Sequence, residues 1–222
     1  MKRPRICGAI VSDDFEMIEK SEPLVELFEV RIDLVGDGWQ KIAGRLKKPW
    51  IACNRSVTEG GGWKGDERRR VEELLSAMEL GADMVDVDLG TESLGEVVGM
   101  IKRKAKCIIS FHQFERTPPL GELKGLVHRE VEAGADVCKV ITTAERFQDN
   151  LTALRLIAEF PETKVVSFAM GPLGLVSRIL CPLAGGDFTY ASLEEGRESA
   201  PGQMTAGQMR QVYGMWKGAA QK

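Results

Sequence analysis

Short apolar runs alternate with longer amphipathic stretches along this chain, and the alternation repeats eight times. Residues 5–11 are almost continuously apolar, the pattern of a parallel strand covered on both faces. Ser12 or Asp13 can cap a short helix reaching residue 20. Residues 24–33 read as a second strand, alternating apolar and charged positions toward its end, and a helix follows at 37–46. A third strand at 50–55 runs into the glycine-rich loop 56–65, then a helix over 66–80 stops at Gly81. Further strands are predicted at 84–88, 107–112, 137–142, 164–170 and 188–191. Helices are predicted at 93–104, 120–133, 145–160, 173–180 and 204–217.

Strict strand–helix alternation demands parallel strands joined by helical crossovers. Eight such units close a barrel, so the expectation is a single (β/α)8 TIM barrel spanning residues 1–222. A doubly wound open sheet is the runner-up. It calls for a glycine-rich first turn, and Val11-Ser12-Asp13-Asp14 is not one. No linker, low-complexity segment or repeat beyond the βα unit interrupts the pattern.

Composition narrows the function classes. With 43% apolar and 28% charged residues in 222, the chain can bury a full core. A net charge of −3 supplies no electrostatic reason to expect nucleic acid. No apolar run reaches the roughly 18 residues of a membrane span. The basic start Met1-Lys2-Arg3-Pro4-Arg5 leads into a strand-like run and not a secretory apolar core, so a cytoplasmic location is expected. Cys7, Cys53, Cys107, Cys138 and Cys181 are odd in number, widely spaced and set in or beside apolar runs. They read as small buried hydrophobes in a reducing compartment. His112 and His128 are the only histidines, without a Cys/His cluster, so no metal site is expected.

Lys139 is the first candidate for chemistry. It sits among Val137, Cys138, Val140 and Ile141, where an apolar surround favours the neutral amine. A neutral amine attacks a ketone, which points to Schiff-base chemistry, whereas a structural lysine would snorkel to the strand end. Barrel active sites lie at the C-terminal ends of the strands. Those ends carry Glu29, Arg31 and Asp33, which share a face at a spacing of two, then Arg55 with Glu59 close by. His112 ends the fifth strand, Arg178 lies near the end of the seventh helix, and Ser199 and Gln203 occupy the last loop.

Each has a structural reading as well. Glu29, Arg31 and Asp33 can form an internal ion network, His112 can be a hydrogen-bonded core residue, and Arg55 and Arg178 can pair with neighbouring acids. Glu59-Gly60-Gly61-Gly62 lacks the Gly-Lys-Ser/Thr of a phosphate loop. His128 reads as a surface residue, and Arg68-Arg69-Arg70 with Glu67, Glu72 and Glu73 as a solvated helix face. Convergence on one barrel mouth favours chemistry. Lysine supplies the nucleophile, histidine the base, glutamate its orienting partner and arginines a carboxylate clamp. Such a set suits a carboxylated keto substrate that loses a proton beside its former carbonyl, with no metal or organic cofactor.

Six segments, in order, resemble type I 3-dehydroquinate dehydratases. They are Phe28-Glu29-Val30-Arg31-Ile32-Asp33, Asn54-Arg55-Ser56-Val57-Thr58-Glu59-Gly60-Gly61, and Ser110-Phe111-His112-Gln113-Phe114 with Thr117-Pro118. Gly134-Ala135-Asp136-Val137-Cys138-Lys139, Gly174-Leu175-Val176-Ser177-Arg178 and Ser199-Ala200-Pro201-Gly202-Gln203 complete the set. The resemblance implies a (β/α)8 barrel, a homodimer, and conversion of 3-dehydroquinate to 3-dehydroshikimate in the shikimate pathway. It implies that Lys139 is the Schiff-base lysine, His112 the general base and acid, and Glu59 the partner of His112. Glu29, Arg31, Arg55, Arg178, Ser199 and Gln203 are implied to bind substrate. The chain departs from the family in Gln113, often aspartate, and Cys138, often proline. Gly8, Ser12 and Asp13 align equally well with the first-strand contact. Two other readings stand beside this one. A class I aldolase would use Gly171-Pro172-Leu173-Gly174 as a phosphate cup, and a barrel without catalysis would only bind a ligand.

Overall fold

The computed structural model describes residues 3–219, with side chains described through Trp216. Eight parallel strands alternate with helices to form a nearly closed (β/α)8 barrel. The strands are β1 (Ile6–Ile10), β2 (Leu27–Arg31), β3 (Trp50–Cys53), β4 (Met84–Asp88), β5 (Lys106–His112), β6 (Val137–Thr143), β7 (Val165–Met170) and β8 (Thr189–Ser192). Around them run α1 (Phe15–Ser21), α2 (Ile32–Val35), α3 (Trp39–Ala43), α4 (Glu67–Glu79), α5 (Leu94–Ile101), α6 (Leu120–Glu132), α7 (Asp149–Ala158), α8 (Leu175–Leu180) and α9 (Ala206–Ala219).

Strands β1 through β6 each pair with the next in sequence and β1 also pairs with β8, so the ladder runs in the order 7-6-5-4-3-2-1-8, with no ladder between β7 and β8 among the described residues. At the entry ends of β7 and β8 the amide of Asp187 donates to the carbonyl of Val165 (3.0 Å). Higher up, the Phe168 and Tyr190 rings meet edge-on across the seam at 6.3 Å, while Thr189 Oγ1 ties β8 to α8 by donating to the Arg178 carbonyl (2.7 Å).

Alternate residues of a strand face opposite sides, so one set of side chains fills the barrel and the other meets the helices. Cys7, Leu27, Ile51, Met84 and Ile108 pack together near the entry ends. Two residues further along the same faces the character changes to Glu29, Cys53, Asp86 and Ser110. An apolar plug therefore carries a charged layer above it.

Several boundaries differ from the sequence pattern. The second strand begins at Leu27, because Pro23 and Leu24 belong to a 3-10 turn, and it ends at Arg31. Asp33 lies in α2, so it leaves the face shared by Glu29 and Arg31. The helix expected over 37–46 is the short α3, and the first helix is capped by Asp14, whose side chain accepts from the Met17 amide (3.0 Å). Helix α4 starts at the cap Asp66 as expected, but its buried stripe is Arg70, Leu74 and Ala77. Arg70 is thus not part of a solvated face. All five cysteines are free and buried.

Candidate active site

The charged layer opens at the C-terminal ends of the strands into one cleft. Among its walls are all nine site residues expected from the sequence: Glu29, Arg31, Arg55, Glu59, His112, Lys139, Arg178, Ser199 and Gln203. Gly60, Phe114, Phe168, Met170 and Tyr190 add apolar surface, and no residue of β1 contributes.

Lys139 projects from β6 into this layer, and its charge state corrects the sequence reading. Its neighbours along the strand are apolar, but its own face meets acids from across the barrel. Nζ lies 2.8 Å from Asp86 Oδ2 and 3.5 Å from Glu29 Oε1, with the Tyr190 ring centroid at 4.4 Å. Burial disfavours the ammonium, yet Asp86 and Glu29 outweigh it and hold Lys139 above the ordinary lysine range. In the ligand-free protein the amine is charged.

His112 stands two residues beyond Ser110, which is in register with Lys139 on the adjacent strand. The same face of β5 therefore presents both, and the imidazole sits about 7 Å further up the barrel. Glu59 Oε2 accepts from the His112 backbone amide (3.0 Å) and lies 3.1 Å from Nδ1. An Nδ1–H donating to Glu59 leaves Nε2 as the basic nitrogen. Burial, with the charges of Arg55 and Lys139, pushes the imidazole well below its usual range, so the ring is neutral near pH 7. Burial and the nearby Asp88 push Glu59 up to about 7.

The loop carrying Glu59 is shaped by its glycines. Gly61 donates to Ser56 O (2.8 Å), Trp63 donates to Arg55 O (3.0 Å), and a Cβ on Gly61 would stand 2.0 Å from Arg55 O. Asp33 anchors the same loop, accepting from the Gly62 amide (2.9 Å) while it also receives Arg31 Nε (2.9 Å) and Nη2 (2.6 Å). The glycine run thus serves close backbone approach.

The two arginines expected to grip a carboxylate differ sharply. Arg55 is spent inside the protein: Nη2 meets Asp86 Oδ1 (2.8 Å), and Nη1 donates to Ser110 Oγ (2.6 Å) and to Asp88. Among the described residues Arg178 is buried without an acid partner; its Nε and Nη2 lack hydrogen-bond acceptors there, and its guanidinium lies 4.3 Å from the Phe168 ring centroid. Burial pulls it down to about 10. Beyond β8, the amide (2.8 Å) and Oγ (3.2 Å) of Ser199 both donate to Gln203 Oε1, which leaves the Gln203 amide nitrogen for a ligand.

Asp86, Asp88 and Arg70 were absent from the sequence-derived set. The signal was present for the acids, since Asp86 and Asp88 stand two apart in Met84-Val85-Asp86-Val87-Asp88 and so share a face. Glu29, Cys53 and Asp86 offer donor atoms within 4.8 Å of one another, as a metal site would. Those atoms already face the cations of Lys139 and Arg55, which compete with any ion there. The proposed phosphate cup is also engaged: Gly171 donates to Pro201 O (3.2 Å) and Gly174 to Gly171 O (3.0 Å).

Fold and cleft together define a TIM-barrel protein with a buried lysine, a glutamate-held histidine and an unpaired arginine at the strand ends. The model of the type I 3-dehydroquinase family matches residues 6–219, and the chain belongs to that family. A 3-dehydroquinate dehydratase of Dehalococcoides mccartyi is 45% identical over 214 residues, covering 96% of each chain. One from Methanosarcina barkeri is 32% identical, covering 95% of this chain and 94% of its own. The crystal structure of 3-dehydroquinate dehydratase from Geobacillus kaustophilus superposes with a TM-score of 0.85 at 26% identity, covering 96% of this chain and 91% of that one.

Proposed function

We propose that this chain dehydrates 3-dehydroquinate to 3-dehydroshikimate, a step of the shikimate pathway, through a Schiff base on Lys139. The observation that carries the reading is the meeting of Lys139, a neutral His112 and the unpaired Arg178 in one cleft. Arg178 takes the substrate carboxylate by paired hydrogen bonds. Arg31, Ser199 and Gln203 fix the ring beside it, so that the ketone meets Nζ in reacting geometry.

The ammonium must first shed a proton. Glu29 Oε1 is the flanking carboxylate oxygen with no hydrogen-bond donor of its own, and it takes that proton in this reading. Nζ then adds to the C3 ketone, and loss of the carbonyl oxygen as water leaves an iminium. The iminium draws electrons from the adjacent carbon, and His112 Nε2 removes a C2 proton to form an enamine. The enamine pushes out the C1 hydroxyl, which leaves as water with the proton held by His112. Hydrolysis of the conjugated imine frees product and returns the amine. One imidazole serves both transfers because it is neutral at rest and is held by Glu59.

Incubation with 3-dehydroquinate and detection of the conjugated enone absorbance tests the assignment. Turnover supports it, and carbon–carbon cleavage or binding without conversion contradicts it. His112→Ala should lower turnover by roughly 10²–10⁴-fold while imine formation continues, the signature of a lost general base. The reading includes a cytoplasmic homodimer, which sedimentation of the purified chain checks; the five buried free thiols support a reducing compartment.

A further inference from the structure

Behind the cleft, charges alternate through the protein interior out to helix α4. Lys139 meets Asp86 (2.8 Å), Asp86 meets Arg55 (2.8 Å), Arg55 binds Asp88, and Asp88 Oδ2 lies 3.2 Å from Arg70 Nη1. Arg70 comes from outside the barrel and is 1% exposed. It donates to both oxygens of Glu67 (2.7 Å each), to Asn54 O (2.8 Å) and to Thr91 Oγ1 (2.8 Å). Asp88 therefore stands between two guanidiniums, with Ser56 Oγ at 3.5 Å as its further side-chain donor.

We propose that Arg70 is a positioning residue for the cleft: by neutralising Asp88 it keeps Arg55 shared with Asp86 and keeps the Glu59–His112 pair in its working protonation state. This rests on the reading of Lys139 and His112 given above. The argument is electrostatic. Asp88 has one cation on each side, so neither carboxylate of β4 monopolises Arg55. Remove the charge at position 70 and Asp88 draws on Arg55 alone, which weakens the Arg55–Asp86 contact and leaves a surplus negative charge in the buried layer.

The direction of the consequence follows from what faces each group. Glu59 faces Asp88 and Asp86 as acids, against Arg55 and the His112 amide. His112 faces Arg55, Lys139 and Arg31 as cations, against Asp86 and the adjoining Glu59 (3.1 Å). Lys139 faces Asp86, Glu29 and Cys53, against Arg55. A surplus negative charge raises all three groups. Glu59 and His112 then need a higher pH to become ionised and neutral respectively, and the pair titrates as a unit.

The test is the pH dependence of kcat/KM for 3-dehydroquinate in the full chain. In Arg70→Met the acidic limb moves up by about one pH unit, with about a tenfold loss below it that recovers as pH rises. Arg70→Lys restores part of the shift. Asp88→Asn moves the limb down, and the double variant Arg70→Met/Asp88→Asn returns it toward wild type, because the acid and the cation leave the buried layer together; Glu67, the other partner of Arg70, has a side chain 33% exposed and is screened by solvent. Arg68→Met, two residues away with a side chain 87% exposed, leaves the limb in place. An Arg70→Met limb that coincides with wild type, whatever the size of kcat, overturns the proposal. If Arg70→Met does not fold, Asp88→Asn and Arg70→Lys decide: a limb lowered in the first and raised by a smaller amount in the second supports the proposal, and limbs equal to wild type in both overturn it. Wild-type protein without turnover contradicts the functional reading itself, before any variant is compared.

Discussion

Arg178 shows most plainly how one residue trades stability for binding. It is buried without an acid, and a buried cation lacking a partner destabilises the fold. Arg178→Met is therefore expected to stabilise the ligand-free protein by about 1–3 kcal/mol while lowering kcat/KM about 10- to 100-fold. Thermal unfolding and steady-state kinetics on the same samples check both signs together. The places of Lys139, His112 and Glu59 in the cleft were legible in the sequence, since Lys139 is the one charge inside the apolar strand β6, His112 ends β5 and Glu59 lies in the loop beyond β3. The charge on Lys139 was not, because its partners arrive from β2 and β4 and its strand neighbours are apolar. Arg70 was hidden by the basic run around it, although its spacing with Leu74 and Ala77 places it on the apolar stripe of α4.

At the scale of elements, the loop between β3 and α4 does the most for the site. It carries Glu59 across to β5, and it can do so only by folding back on the end of β3. Gly61→Ala would drive a Cβ to 2.0 Å from Arg55 O, where backbone and not a movable side chain must yield. The variant is expected to lose about 1–3 kcal/mol in urea unfolding and to lose kcat/KM as Glu59 leaves His112. The existence and order of the strands and of the major helices followed from periodicity. Their ends did not. Strand β2 stops at Arg31 because the chain turns into α2, where Asp33 reaches back to Arg31 and across to the glycine loop; the contact with Gly62 is tertiary and leaves no mark in a short window.

At the scale of the whole molecule, a layer of acids and bases lies inside the barrel, so stability must depend on pH. Burial opposes the charged form of Asp86, but Arg55 and Lys139 hold it well below the usual carboxylate range. The Asp33 side chain is likewise covered, and Arg31 holds it low. A depressed carboxylate contributes stability above its unfolded value, near pH 4, and loses it as pH falls below that. Urea midpoints are expected to fall steeply from pH 4 downward, and Asp33→Asn should flatten that slope at a cost of about 3–5 kcal/mol at pH 7. An unchanged slope in Asp33→Asn would remove Asp33 from this role. Barrel class was readable from eight alternating units, whereas the seam between β7 and β8 was not, because the Phe168 and Tyr190 rings meet across its upper part in place of a strand ladder.

The most direct test of the central claim, covalent catalysis by the amine at position 139, is the intact mass of the protein after borohydride reduction with 3-dehydroquinate present. One reduced substrate adduct per chain, mapped to the peptide containing Lys139 and missing from Lys139→Ala, is the expected result. An adduct that persists in Lys139→Ala, or turnover by wild-type protein that leaves no adduct, would contradict it.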